Sequence, residues 1–561
     1  MAAEAESQNS SDSGKVYDFK DSKTSGVVTV TKLWDDSMSN NERPVPDISI
    51  STEKPSKSTL GYTITYHGNG LTFADGSSEN EIVVSSSGKI VSGQYKELVI
   101  PSTWYSDVNC TNKIELDSDG LPVNGVTSDM ELYAKSKTFV IKGGKLSEFS
   151  NDFNDLIPDT TTSIIFTDEM MPASATLINV DADGDGGVVA WMDGTVMKVS
   201  SQVPGQKVIA PMYSHLMFSS KSNLSSIDFS NLDTSNVVLM TGMFNCCNNL
   251  TNLDLSTLNT SNVVGMDSMF AECASLTTLD LTPLDTSNVT TMSMMFYNCN
   301  GLTSLNLSSL DTSKVTNMNG IFRGCSKLTN IDLTPLDTSN VENMGGMFSD
   351  CNGLTYLDLA SLDTSKVTTM SSMFQDCSGL TNLDLTHLDT SKVTTMSSMF
   401  NGCSGLTNLD LTPLDTQNVT SMSSMFSGCR GLTNLNLTSL DTSNVTDMSG
   451  MFYDCNGLTN LDLTPLNTGN VTYMGVMFYG CSGLTNLDLT HLNTQNVTNM
   501  SFMFDKCTAL TTLSLGEKFA FVGSNYYLSK GTWYSSNGTA YTSNGKTCTI
   551  PNNKADTYTR R

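Results

Sequence analysis

Leu406 to Gly431 reads LTNLDLTPLDTQNVTSMSSMFSGCRG, and the spacing of its single cysteine decides the fold. Cysteines stand at 247, 273, 299, 325, 351, 377, 403, 429, 455, 481 and 507, every gap being 26 residues. Three residues before each is a phenylalanine, from Phe244 to Phe504, and three after is a leucine, from Leu250 to Leu510. One earlier turn keeps the frame with Phe218, Leu224, Ile227 and Phe229, but carries Lys221 where the cysteine is expected. That is the look of a terminal capping turn. Twelve turns lie between Phe218 and Leu515. Self-similarity at a fixed short period signals stacked repeats, none of which can bury its apolar face alone.

Two periodicities divide the repeat. Leu406, Leu409 and Leu411 alternate with Asn408 and Asp410, which predicts a strand with leucines inward and polar groups outward. Met422, Met425, Phe426 and Cys429 fall at i, i+3, i+4 and i+7, the spacing of one face of a short helix. The expectation is an α/β solenoid of about twelve strand-plus-short-helix turns. The pattern L-x-x-L-D-L, then LDTS-x-V, then M-x-x-M-F-x-x-C, resembles the BspA-like leucine-rich repeats of bacterial surface proteins over residues 212–515. The resemblance implies an exposed, non-catalytic adhesion or host-interaction protein with a protein or glycan ligand. It implies an extracellular place, at the bacterial surface or secreted. The other class of function open to such an array is a stalk that displays another domain.

The flanks read as small all-β modules. Residues 1–25 are polar and predicted to be flexible. Val27 to Thr52, within a segment 26–58, resembles the opening of a Cna-B-type stalk domain, a family in which a strand lysine can form an isopeptide bond; Lys32 is the matching position. Residues 59–136 resemble a Listeria–Bacteroides repeat, a β-grasp-like module, through YTITYHGNG from Tyr62, TWYSD from Thr103 and SDMELYAK from Ser128. Residues 137–211 and 516–561 are expected to cap the two ends of the array, because exposed strand edges invite end-to-end association.

Composition narrows the partners. With 30 basic and 57 acidic residues the formal charge is −27, which disfavours nucleic acid or an anionic membrane and favours a cation or a basic protein. There is no run of 18 apolar residues, so no membrane insertion is expected. The opening MAAEAESQNSSDSG does not read as a signal peptide. The four histidines, His67, His215, His387 and His491, form no motif; His387 and His491 lie four turns apart. No nucleophile elbow, phosphate loop or H-E-x-x-H is present, so no enzyme and no cofactor is expected.

Three places could carry chemistry. The cysteine column is open to core packing, disulfides or metal, and its position beside Phe and Met favours core packing. On that reading the thiols are reduced and inaccessible, and Cys377→Ser costs about 1–3 kcal/mol as a hydroxyl buried in an apolar layer. In DADGDG, Asp181, Asp183, Asp185 and Gly186 match positions 1, 3, 5 and 6 of an EF-hand loop. Position 12, where calcium needs a bidentate Glu, is Met192, so the segment is either a calcium site or an Asp/Gly turn. Finally, the solvent side of the leucine segment carries Asp254, Asp280, Asp332, Asp358, Asp384, Asp410, Asp462 and Asp488, with Tyr356 beside them. This is the candidate ligand face. Mutual repulsion of its carboxylates predicts that Asn replacements raise the melting temperature slightly.

Overall fold

The computed structural model describes residues 61–561 and, before them, three short strands: β1 (Ala3–Glu6), β2 (Asp18–Phe19) and β3 (Val28–Thr29). Lys32 and nearly all of the 26–58 segment lie outside the described residues. The chain forms two units, Met1–Thr138 and Phe139–Arg561. Among the described residues no helix is long and apolar enough to cross a membrane.

In the first unit a six-stranded sheet runs β6 (Ile90–Ser92), β5 (Glu79–Val84), β4 (Tyr62–His67), β9 (Met130–Ser136), β7 (Ser102–Tyr105), β8 (Lys113–Ile114). The central pair β4 and β9 is parallel; the other neighbours are antiparallel. Alternation in YTITYH turns Ile64 and Tyr66 into a core with Phe73, Ile82, Trp104 and Leu132. The buried Tyr66 hydroxyl donates to the Gly120 carbonyl at 2.6 Å, so its burial leaves no orphaned donor.

The second unit is the repeat array. Successive turns stack in register: an unbroken series of parallel bridges joins Tyr213 to Leu239, Leu239 to Gly265 and so on to Asn499, each step 26 residues. The Phe column forms a continuous stack from Phe218 to Phe504, with ring centroids 5.6 to 6.3 Å apart. The Met, Cys, Val and Leu columns are buried around it.

The expected short helices are absent. The only helical segment among the described residues is one 3₁₀ turn, Asn154–Leu156, outside the repeats. The apolar face at i, i+3, i+4 and i+7 is real, but the backbone spends its hydrogen bonds differently. The N–H groups of Met422, Ser424, Phe426 and Gly428 donate to Asp447, Ser449, Met451 and Tyr453 of the next turn. Those of Met425, Ser427 and Cys429 close four-residue β-turns within their own repeat. A helix would need every N–H for itself. The segment instead alternates handedness: Ser424 and Gly428 have φ of 56° and 68°, a sign that ends any right-handed helix.

The expected strands are also mostly missing. Leucines point inward and Asn408 and Asp410 outward as predicted, yet only the end turns form ladders there, at Ser226–Asp228, Asn486–Leu489 and Thr512–Leu515. Between the end turns the inter-turn backbone bonds run through the bridge column and the Met–Phe segment instead.

Two polar columns complete the inter-turn bonding. In LDT the buried Thr390 Oγ1 donates to the Asp415 carbonyl at 2.8 Å and accepts from the Asp415 N–H at 2.8 Å. In the S-N-V and Q-N-V turns an Asn side chain such as Asn418 donates to the Ser391 carbonyl of the previous turn at 2.7 Å. Both ends are closed. Ser163–Thr167 runs parallel to Ser226–Asp228 with Phe166 stacked on Phe229. At the other end Asp556–Arg560 pairs with Thr512–Leu515, and Ala520 exchanges the same two bonds with Thr494 that Asp415 makes with Thr390.

The candidate binding face and the buried thiol column

The Asp side chains of the leucine segment are exposed, as expected, but they are not idle. Asp410 Oδ1 accepts from the Thr412 N–H at 2.9 Å and the Thr412 hydroxyl at 2.8 Å. Asp254, Asp280, Asp332, Asp358, Asp384, Asp462 and Asp488 each accept from the N–H two residues ahead. Each carboxylate thus closes the turn that follows its own strand segment, as Asp in an Asx turn does. Asn306 and Asn436 make the same bond where Asn replaces Asp.

These bonds outweigh the repulsion along the column. The backbone N–H two ahead holds Asp254, Asp280, Asp384, Asp410 and Asp462 below the usual carboxylate range, and the Thr334 hydroxyl does so for Asp332. The neighbouring carboxylate opposes this for Asp280 and Asp410, but as the weakest of the contributions. Against the expected rise in melting temperature on Asn substitution stand these bonds, which favour the ionised over the protonated carboxyl. Tyr356 stands on the same face and is 63% exposed.

The eleven ladder cysteines are buried and free, and each thiol has a partner. Cys377 Sγ donates to the Phe348 carbonyl at 3.0 Å, and the same bond recurs from Cys247 to Phe218 through Cys507 to Phe478. Burial raises these thiols, Cys325 and Cys403 to about 12. They are thus more than small apolar fillers: in every turn the thiol adds a second bond to a carbonyl that already accepts the N–H three residues ahead. This revises the serine expectation, because a hydroxyl can make the same donation. Cys377→Ala, which leaves the Phe348 carbonyl only the Cys351 N–H, should cost about 0.5–1.5 kcal/mol, and Cys377→Ser less than that. Maleimide counting in the native protein should find the eleven ladder thiols unreactive. Rapid labelling without denaturant would contradict the burial.

The DADGDG loop brings its three carboxylates together. Single oxygens of Asp181, Asp183 and Asp185 lie within 4.8 Å of one another. Asp181 and Asp185 are 2% and 3% exposed. Asp181 accepts from the N–H groups of Gly186 and Val188, and its pKa is raised by burial first and by Asp185 and Asp183 after it. Met192 sits in the strand Val189–Asp193. The EF-hand match is therefore confined to the loop itself, since its twelfth position offers no oxygen and a strand follows where a helix should.

The family model described as "Mycoplasma protein of unknown function, DUF285" matches residues 213–306, 299–410 and 403–515. No curated protein matches the sequence. Among solved structures, the TLR13 chain of a TLR13–ssRNA13 complex is similar at 17% identity over 52% of this chain and 47% of that one, with a TM-score of 0.20. This chain thus spans about half the length of that one. A functional domain of InlJ from Listeria monocytogenes, described as including a cysteine ladder, is similar at 17% identity over 55% of this chain and 72% of that one, with a TM-score of 0.16.

Proposed function

Since the chain belongs to the DUF285 family, whose matches together span more than half of it, we propose that it is a non-catalytic surface protein that binds a partner through its repeat array. The observation that carries this reading is the division of labour within the repeat. The Phe, Met, Cys and Leu columns are buried, and the exposed leucine-segment face repeats carboxylate and amide groups turn after turn. Such a lattice suits a basic protein patch, a bridging divalent cation or a polar glycan. The BspA-like resemblance supports an extracellular place for it, and the resemblance of residues 59–136 to a Listeria–Bacteroides repeat supports a spacer role for that sheet.

Replacing Asp358, Asp384 and Asp410 together with Asn tests the face. Each Asn keeps an oxygen acceptor for the turn and loses only the charge. Binding to immobilised basic proteins, matrix proteins or glycans should weaken, and the wild-type interaction should fade with salt. The melting temperature at neutral pH should stay level or fall slightly. Asp384 and Asp410, whose pKa values are depressed in the fold, contribute stability that is present above the unfolded carboxylate pKa of about 3.9 and lost as pH falls through their lower folded values. Any difference in melting temperature between the two proteins should therefore close in acid. Full binding by the triple variant would move the ligand off this face. An array that binds nothing in such a screen would be left as a stalk.

The DADGDG loop supports a second, separate proposal. Two nearly inaccessible carboxylates side by side are costly without a cation, and oxygen ligands from Asp181, Asp183 and Asp185 fit calcium. Calorimetric titration should show calcium binding to the wild type and not to Asp183→Ala, with the array fold unaffected. Absence of heat at millimolar calcium in the wild type would leave only a turn.

A further inference from the structure

The repeat is most informative where it breaks. At the two positions before the second methionine, three consecutive turns carry serine pairs: Ser371–Ser372, Ser397–Ser398 and Ser423–Ser424. The turn before them carries Gly345 and Gly346 instead. A notch of about 280 Å³ lies there on the bridge side of the array, lined by Asn343, Ser371, Ser372 and Arg323 besides the two glycines. Gly345 is dictated by a neighbour: a Cβ there would lie 2.8 Å from the Asn319 amide nitrogen, which donates to the Gly345 carbonyl. Gly346 has no such constraint. A Cβ there meets nothing closer than 3.9 Å, and serine occupies the equivalent left-handed position in the next three turns. Its absence leaves open space and nothing else.

Arg323 gives this space a sign. It is one of two arginines in the whole of residues 213–515, in a chain of charge −27. The side chain is held in place: Nε donates to Asp350 at 3.4 Å, and the guanidinium lies 5.8 Å from the Tyr297 ring centroid. Among the described residues the ion pair uses Nε alone, so the amino groups of the fork remain for a second acceptor. The rest of the lining is amide and hydroxyl. The volume lies just below the usual range for small-molecule sites, and the lining lacks the apolar character typical of them. A single polar ring bearing one negative group matches it best.

We propose that this notch binds one acidic saccharide unit, its carboxylate or sulfate paired with Arg323 and its hydroxyls hydrogen-bonded to Asn343, Ser371 and Ser372. This site lies apart from the leucine-segment face and does not depend on the reading given to that face.

The repeat supplies variants that the fold already accepts. Serine stands at the position of Arg323 in the next turn, as Ser349, and tyrosine stands at the position of the lining residue Thr369 four turns on, as Tyr473. Arg323→Ser therefore removes the charge, and Thr369→Tyr fills the notch. Calorimetry on the full chain uses three probes: a glucuronate–N-acetylglucosamine oligosaccharide, a sulfated galactose oligosaccharide and a neutral N-acetylglucosamine oligosaccharide. One or both acidic probes should bind, one per chain, and which of them does identifies the anionic group. Each variant should weaken that binding by about tenfold or more, the loss expected for a charge-assisted hydrogen bond. Arg430→Ser, which removes the other arginine, should change nothing. Equal binding of the neutral probe, no binding of either acidic probe, or wild-type affinity in Arg323→Ser or Thr369→Tyr with unchanged melting temperature would overturn the assignment.

Discussion

Phe374→Ala is expected to cost about 3–5 kcal/mol, the range for deleting a buried aromatic ring from a close-packed core. Phe374 is fully buried and stacks on Phe348 at 6.1 Å and Phe400 at 5.8 Å. Its loss interrupts the aromatic column that runs through every turn, and the neighbouring rings cannot close the gap because their backbones are fixed by inter-turn bonds. Repeats couple mainly to their neighbours, so the damage should be local. Limited proteolysis should cut first in the turns flanking residue 374, and urea denaturation should show a broadened or split transition. A loss below about 1 kcal/mol would mean that the Phe stack is not what holds the turns together.

A second large effect is expected from a side chain that looks incidental in sequence. Thr390→Val keeps the shape and removes a hydroxyl that serves two backbone groups of the next turn. Leaving partly buried backbone groups without partners should cost about 1–3 kcal/mol. Thr390→Ser, which retains the hydroxyl, should cost clearly less. The urea midpoint should fall for valine with little change in slope. Equal losses for valine and serine would show that the methyl group, not the hydroxyl, is what matters at this position.

The sequence revealed the array through its columns: which residues face inward, the 26-residue period and the number of turns. It misled on backbone conformation, for one reason in two places. Spacing such as Met422, Met425, Phe426, Cys429 reports where side chains point, and a chain of successive β-turns points them the same way as a helix does. Likewise Leu409 and Leu411 alternate with Asn408 and Asp410 whether or not the backbone between them is paired. Which segment pairs with the next turn is not written in the alternation: the bridges run along the Tyr213–Asn499 column, and leucine-segment ladders form only at the two ends.

The candidate site was legible in part. Exposure of the Asp column followed from alternation, but its role in closing turns did not enter that reading. The signal was there: Asp410 is followed two residues later by Thr412, a spacing typical of Asx turns. In the DADGDG loop the first six positions matched a calcium loop, and Met192 already marked where the match stops. The notch at Arg323 escaped a reading tuned to regularity, because it is made from departures: Gly345, Gly346 and a lone arginine.

The direction of the inter-turn bonds has a genetic consequence. Every turn hands the same donors and acceptors to the next, and the C-terminal cap answers Thr494 with the bonds that any repeat would use. A block of 26 residues can therefore be gained or lost by unequal recombination with no seam in the protein. The folded product tolerates the change in length, whereas a feature present in a single turn, like the notch, is copied or erased with its block.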